Sequence, residues 1–133
     1  LVDVSAALRT HLLANTALYA LTGVRIWAET DTPMVGYTPA DGGAVCFRVR
    51  GGQPEYSDLL LQPSFQFKCY GATAVTANAV YRALYAALQN TRAGSTVRWA
   101  QCEVLGQTLQ EPETTGGAPW WFVLTFFQVY IAA

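Results

Sequence analysis

His11 is the sole histidine of this 133-residue chain, so any acid–base or nucleophilic chemistry would centre there. A catalytic imidazole needs a nucleophile or a carboxylate held beside it. Asp3 is not an i,i+4 neighbour, and no Ser or Cys stands in a nucleophile motif, so His11 reads as a structural residue beside an apolar helix stripe. Cys46, Cys69 and Cys102 are odd in number, widely spaced and each enclosed in an apolar, strand-like run. Metal sites draw on clustered Cys, His and carboxylates. The three thiols therefore read as small buried hydrophobes of a chain that folds in a reducing compartment. Glu111 and Glu113 form a carboxylate pair, but in a Gly/Pro/Thr linker that would not preorganise it. The glycine pairs at 42–43, 51–52 and 116–117 lack the phosphate-loop spacing and its Lys. No catalytic residue, metal or cofactor is expected, and the chain does not read as an enzyme.

What remains is chemistry of contact. Arg48 and Arg50 alternate with Val45, Phe47 and Val49, which puts both guanidiniums on one face of a strand. There they either pair with acids of a neighbouring chain, line an aqueous channel, or simply meet solvent. Trp120 and Trp121 are either interface anchors, a role for which Trp is enriched, or core residues. An aromatic cleft near Trp99, Trp120 and Trp121 would be the alternative, a small-ligand site.

The elements that position these residues follow from periodicity and caps. Asp3 or Ser5 opens a helix whose stripe is Val4, Ala7, Leu8, His11 and Leu12, and Asn15 or Thr16 caps a further turn ending at Gly23. Val24–Ala28 is a short β segment. Residues 29–43, rich in Pro, Gly, Thr and acid, read as a long loop or arm, and segments of that length are commonly functional. Pro33, Met34 and Tyr37 in this arm join the contact candidates. Ala44–Arg50 is a strand ended by Gly51-Gly52. Leu59–Tyr70 is a second, with Pro63 marking an edge position or a bulge; beyond it Phe65, Phe67 and Cys69 face one way and Gln66, Lys68 and Tyr70 the other. Thr73–Thr91 is the clearest helix, with Ala77, Val80, Tyr81, Leu84 and Leu88 as its apolar stripe and Asn78, Arg82, Tyr85 and Gln89 toward the opposite side. Thr96–Leu105 is a strand that alternates Val97, Trp99, Gln101 and Glu103 against Arg98, Ala100, Cys102 and Val104. Residues 106–119 are a flexible hairpin connection, and Trp120–Ile131 is a final strand that is apolar on both faces.

These elements predict one α+β domain over residues 1–133. Its mixed or mostly antiparallel sheet has about four to five strands, with two main helices on one face. A doubly apolar strand needs cover on both sides, and no third main helix is left to supply it. Leaving about three or four large side chains bare would forgo about 1.5–3 kcal/mol each. The composition agrees: 52% of residues are hydrophobic and only 13% charged, a thin cover for a small soluble monomer. Burial against other copies of the chain is the economical solution.

Net charge is −1 with the cations scattered, which excludes a basic nucleic-acid footprint. The longest apolar run, Trp120–Ala133, is about 14 residues, broken by Thr125 and Gln128, and falls short of a bilayer span. The start of the chain shows neither a basic region nor a signal-peptide core.

The order of motifs resembles one known family. A helix ends in Leu-Thr-Gly-Val-Arg-Ile-Trp (Leu21–Trp27), followed by a Pro-containing loop and Ala-Val-Cys-Phe-Arg-Val-Arg-Gly-Gly (Ala44–Gly52). Pro-Ser-Phe-Gln-Phe-Lys-Cys-Tyr-Gly (Pro63–Gly71) then leads into an Ala-rich helix, and the chain closes on an aromatic strand. Over nearly its whole length this is similar to the tail-completion, or tail-terminator, proteins of long-tailed bacteriophages. The resemblance implies an α+β subunit of a ring, typically of about six copies. Such a ring caps the tail tube, stops its polymerisation and docks the head connector. Its implied partners are copies of itself, the tube protein and the neck proteins, with DNA only passing through the lumen and no membrane. Its implied place is the virion tail or neck, reached by assembly in the host cytoplasm. Another neck component or a tube subunit is the alternative in the same setting.

Overall fold

Each helix begins where a side chain can take an orphan backbone N–H. In the computed structural model, which describes residues 3–28, 36–54, 60–89, 96–111 and 120–132, α1 spans Val4–Leu13. The Asp3 carboxylate accepts from Ala6 N at 3.0 Å to start it. Asn15 does the same for α2 (Thr16–Thr22), accepting from Leu18 N at 2.9 Å. Thr73 opens α3 (Ala74–Leu88) by accepting from Thr76 N at 3.2 Å. Leu8 and Leu12, Leu18 and Thr22, and Ala77, Val80, Leu84, Ala87 and Leu88 are the buried stripes. Asn90 and Thr91, expected at the end of α3, lie outside the described residues.

Five strands form one mixed sheet in the order β1-β2-β3-β5-β4. They are β1 (Ile26–Ala28), β2 (Ala44–Pro54), β3 (Leu60–Gly71), β4 (Val97–Glu111) and β5 (Trp120–Ala132). The β1–β2 pair is parallel and the others antiparallel. This is the expected α+β architecture, with the short α2 between the two longer helices in sequence. Phe47, Phe65, Phe67, Phe127, Val129 and Ile131 meet the helices in the main core. Phe67 and Phe127 pack edge to face at 5.8 Å between centroids.

Three expectations are corrected, and one pair of alternatives is settled. Gly51-Gly52 does not end β2: the strand continues to Pro54 through a bulge between Val49 and Gly52. A Cβ on Gly52, whose φ is +129°, would collide with the Gln62 carbonyl and Pro63 Cα. Glycine is what lets the two strands stay paired there. Pro63 sits opposite that bulge in an interior strand, so the bulge holds and the edge position does not. The last strand pair is longer than expected, because Gly106–Glu111 belongs to β4, while 112–119 lie outside the described residues. Finally, a register shift between Val97 and Trp99 turns Val97 to the helix side, away from Trp99 and Gln101.

The outer side of α3 also departs from expectation, for three of its four residues reach the final hairpin. Asn78 Nδ2 donates to Thr108 Oγ1 at 3.0 Å, and Gln89 Oε1 accepts from Cys102 N at 2.7 Å. Tyr85 packs on the Phe127 ring at 5.9 Å. Tyr81 joins them from the stripe, accepting from Gly106 N at 2.9 Å. Gly106 has no side chain because the Tyr81 ring occupies its space, with Cζ 2.7 Å from where a Cβ would lie. Thus α3 holds β4 where its bulges interrupt the ladder, and the freed backbone groups find side-chain partners.

Candidate functional site

Among the described residues the three α-helices pack on one face of the sheet, so the opposite face holds the contact candidates. Along β5 the alternation is regular: Val123, Thr125, Phe127, Val129 and Ile131 are buried under the helices, while Trp120, Phe122, Leu124, Phe126, Gln128 and Tyr130 point the other way. Among the described residues, only the top of this second face has its own core. There Tyr37 is buried among Trp27, Tyr70 and Trp120, with centroids at 5.4, 6.2 and 5.8 Å, and its hydroxyl donates to the Gly42 carbonyl at 2.6 Å. Burial pushes the Tyr37 phenol up to about 12, Arg25 pulling the other way and Asp41 adding to the rise. The described part of the expected arm is therefore packed down as a short 3-10 turn, Pro39–Asp41, closed by the Thr38–Asp41 capping box.

Below that cluster the face is covered by charged side chains lying over aromatic rings. The Arg50 guanidinium sits 4.1 Å above the Phe126 ring, donates to Ser64 Oγ at 2.9 Å and pairs with Glu103 at 3.7 Å. Ser64 in turn donates to Glu103 at 2.5 Å, so one chain of contacts crosses from β2 to β4. Lys68 Nζ lies 5.1 Å above Phe122 and 3.7 Å from Glu111, whose carboxylate also accepts from Tyr70 Oη at 3.2 Å. Arg48 donates to Gln66 Oε1 at 3.4 Å. Long cationic stems shield apolar rings while their heads stay wet. This answers in part the need for cover on the second face of β5.

Arg48 and Arg50 thus share the helix-free face, as the alternation predicts. Trp120 and Trp121 separate: the first joins the Tyr37 cluster and the second packs from the helix side against the main core. Pro33 and Met34 lie outside the described residues, and Tyr37 is committed to packing within the chain. Sequence reasoning placed Lys68 on the right face beside Gln66 and Tyr70 without seeing its role. It read Glu111 as solvated linker, because strand β4 was ended too early. Among the described residues no group of three or more His, Cys, Asp or Glu is placed to hold a metal. No described helix is long and apolar enough to cross a membrane.

The arrangement defines an α+β protein with one helix-covered sheet face and one face of cation-capped aromatics. The same fold occurs in a chain of the structure described as "Virion of native gene transfer agent (GTA) particle". The likeness has a TM-score of 0.60 at 19% identity and covers 98% of this chain and 95% of that one. No protein-family description and no curated protein matches the sequence.

Proposed function

We propose that this chain is a structural protein of a phage-like virion and, within it, a tail terminator. It forms a ring that caps the tail tube, stops its growth and joins it to the head connector. The observation that carries this reading is the end-to-end fold likeness to a chain of a gene transfer agent virion. Likeness over nearly all of both chains is expected of two subunits with one architecture and little added to either. The segment order of the sequence, from the Leu21–Trp27 turn to the aromatic last strand, supplies the finer choice of terminator. The helix-free face, with Arg48, Arg50 and Trp120, suits a subunit or lumen contact. Pairing of Arg50 and Lys68 with Glu103 and Glu111 leaves that face weakly charged, which suits a conduit through which DNA passes without adhering.

Co-sedimentation with purified tail tubes tests the proposal. A terminator binds once, at the tube end, and blocks further addition of tube protein. Formation of stacked rings would instead make the chain a tube subunit, and no binding to tubes would remove the reading.

A further inference from the structure

The helix-free face carries the same four-part unit twice. In one, Arg50 lies over the Phe126 ring and pairs with Glu103 at 3.7 Å, and Glu103 also accepts from the Ser64 hydroxyl. In the other, Lys68 lies over the Phe122 ring and pairs with Glu111 at 3.7 Å, and Glu111 also accepts from the Tyr70 hydroxyl. Each unit takes its cation from β2 or β3, its hydroxyl from β3, its ring from β5 and its carboxylate from β4. Glu103 and Glu111 are the only carboxylates in the five strands, and each meets its cation across the ring-bearing β5.

Stability does not account for the repetition. The four charged side chains are 31–42% exposed, and ion pairs so placed add little to a fold. What the pairs prevent is more telling. An open sheet face that offers aromatic rings and cations is a stacking and phosphate-binding surface for nucleic acid. Without the two carboxylates the strands would present Arg48, Arg50 and Lys68 on this face with no negative charge among them. With them, Arg50 and Lys68 already hold an anion each. The Ser64 and Tyr70 hydroxyls fix each carboxylate over the sheet independently of its cation. A phosphate arriving there competes with a counter-ion already in place.

We infer that Glu103 and Glu111 are built-in counter-ions that keep Arg50 and Lys68 from binding nucleic-acid phosphates. The chain thus carries a nucleic-acid-binding face that is held shut from within. This deepens the conduit reading and rests on it only for the choice of DNA as the polyanion that passes.

The test is the double variant Glu103→Gln with Glu111→Gln, whose amide oxygens still accept from Ser64 and Tyr70, with circular dichroism confirming the fold. Binding to a short fluorescent DNA duplex is followed by anisotropy between about 50 and 200 mM salt. At the lowest salt the double variant is expected to bind at least about tenfold more tightly than the parent. Its log–log salt slope should be steeper by about 2, near 0.9 for each freed cation. Adding Arg50→Gln and Lys68→Gln should abolish the gain. Asp3→Asn, which removes a carboxylate at the start of α1, controls for net charge and should gain less than Glu103→Gln or Glu111→Gln alone. Equal binding by parent and double variant, a gain that survives loss of the two cations, or an equal gain from Asp3→Asn overturns the inference. None of these measurements uses tail tubes, so such a failure leaves the terminator reading in place. Failure of the parent to bind tubes removes that reading and leaves the counter-ion assignment to the DNA measurements.

Discussion

On the helix-free face Tyr37 is buried in a cluster of aromatic rings. Its hydroxyl bond to Gly42 and its three ring neighbours fasten the end of the expected arm onto β1, β3 and β5. Tyr37→Phe is expected to cost about 1 kcal/mol in urea unfolding, the usual net value of one such bond. It also changes the alkaline response. The folded phenol titrates near 12 against an ordinary 10, so the unfolded chain ionises first. That contribution is present below pH 10 and is lost as pH rises toward 12. The parent should lose more stability than Tyr37→Phe across that window, and equal loss would contradict the assignment. The cysteines give a second check. Burial pushes the Cys69 thiol well up, and Cys46 is buried too, while Cys102 is half-exposed. A thiol reagent followed by mass spectrometry should label Cys102 in the native protein and all three only after unfolding. The role of Cys46 and Cys69 as small buried hydrophobes was legible from their apolar surroundings, whereas Cys102, expected to be buried with them, is only partly so. The role of Tyr37 was not, because it depends on rings from three strands distant in sequence.

At the level of elements, what local chemistry decides was legible and what a partner strand decides was not. Asp3 and Asn15, each one of two caps legible in the sequence, open α1 and α2 because a cap acts within three residues of itself, and Thr73 opens α3 in the same way. Gly51-Gly52 misled because an isolated glycine pair looks the same at a strand end and at a bulge. Only Gln62 and Pro63 opposite make the difference. The two glycines should therefore respond unequally to alanine. Both have φ above +110°, but space is open at Gly51 and blocked at Gly52. Gly51→Ala is expected to cost about 1 kcal/mol for backbone strain, and Gly52→Ala clearly more, up to about 3 kcal/mol or beyond. Denaturant midpoints in the same buffer decide it, and equal losses would mean that the bulge is not held as described. Gln89→Leu examines the other hidden device, the fastening of α3 to β4. It leaves Cys102 N without its side-chain acceptor and should destabilise by about 1–3 kcal/mol.

The whole molecule is an α+β layer pair with helices on one face, and this too was legible, because β5 is apolar on both sides and the helices can cover only one. What lay beyond sequence reasoning is that the second face carries much of its own cover, with Arg50 over Phe126 and Lys68 over Phe122. This affects how the arginines are tested. Arg50→Glu would set a carboxylate beside Glu103, a partly exposed site where the existing pair contributes only about 0.2–1 kcal/mol. The double change of Arg48 and Arg50 to Glu should therefore impair assembly with the fold retained by circular dichroism, and Arg48→Glu alone should act in the same direction. Unchanged assembly would return both residues to the role of a solvated strand face. The central claim is that the chain works as a ring. Light scattering over a concentration series, with negative-stain images of the same samples free and on tail tubes, measures it most directly. Closed rings of about six copies with a central hole, one per tube and at one end of it, are the predicted result. A monomer at every concentration that leaves tube ends bare would contradict it.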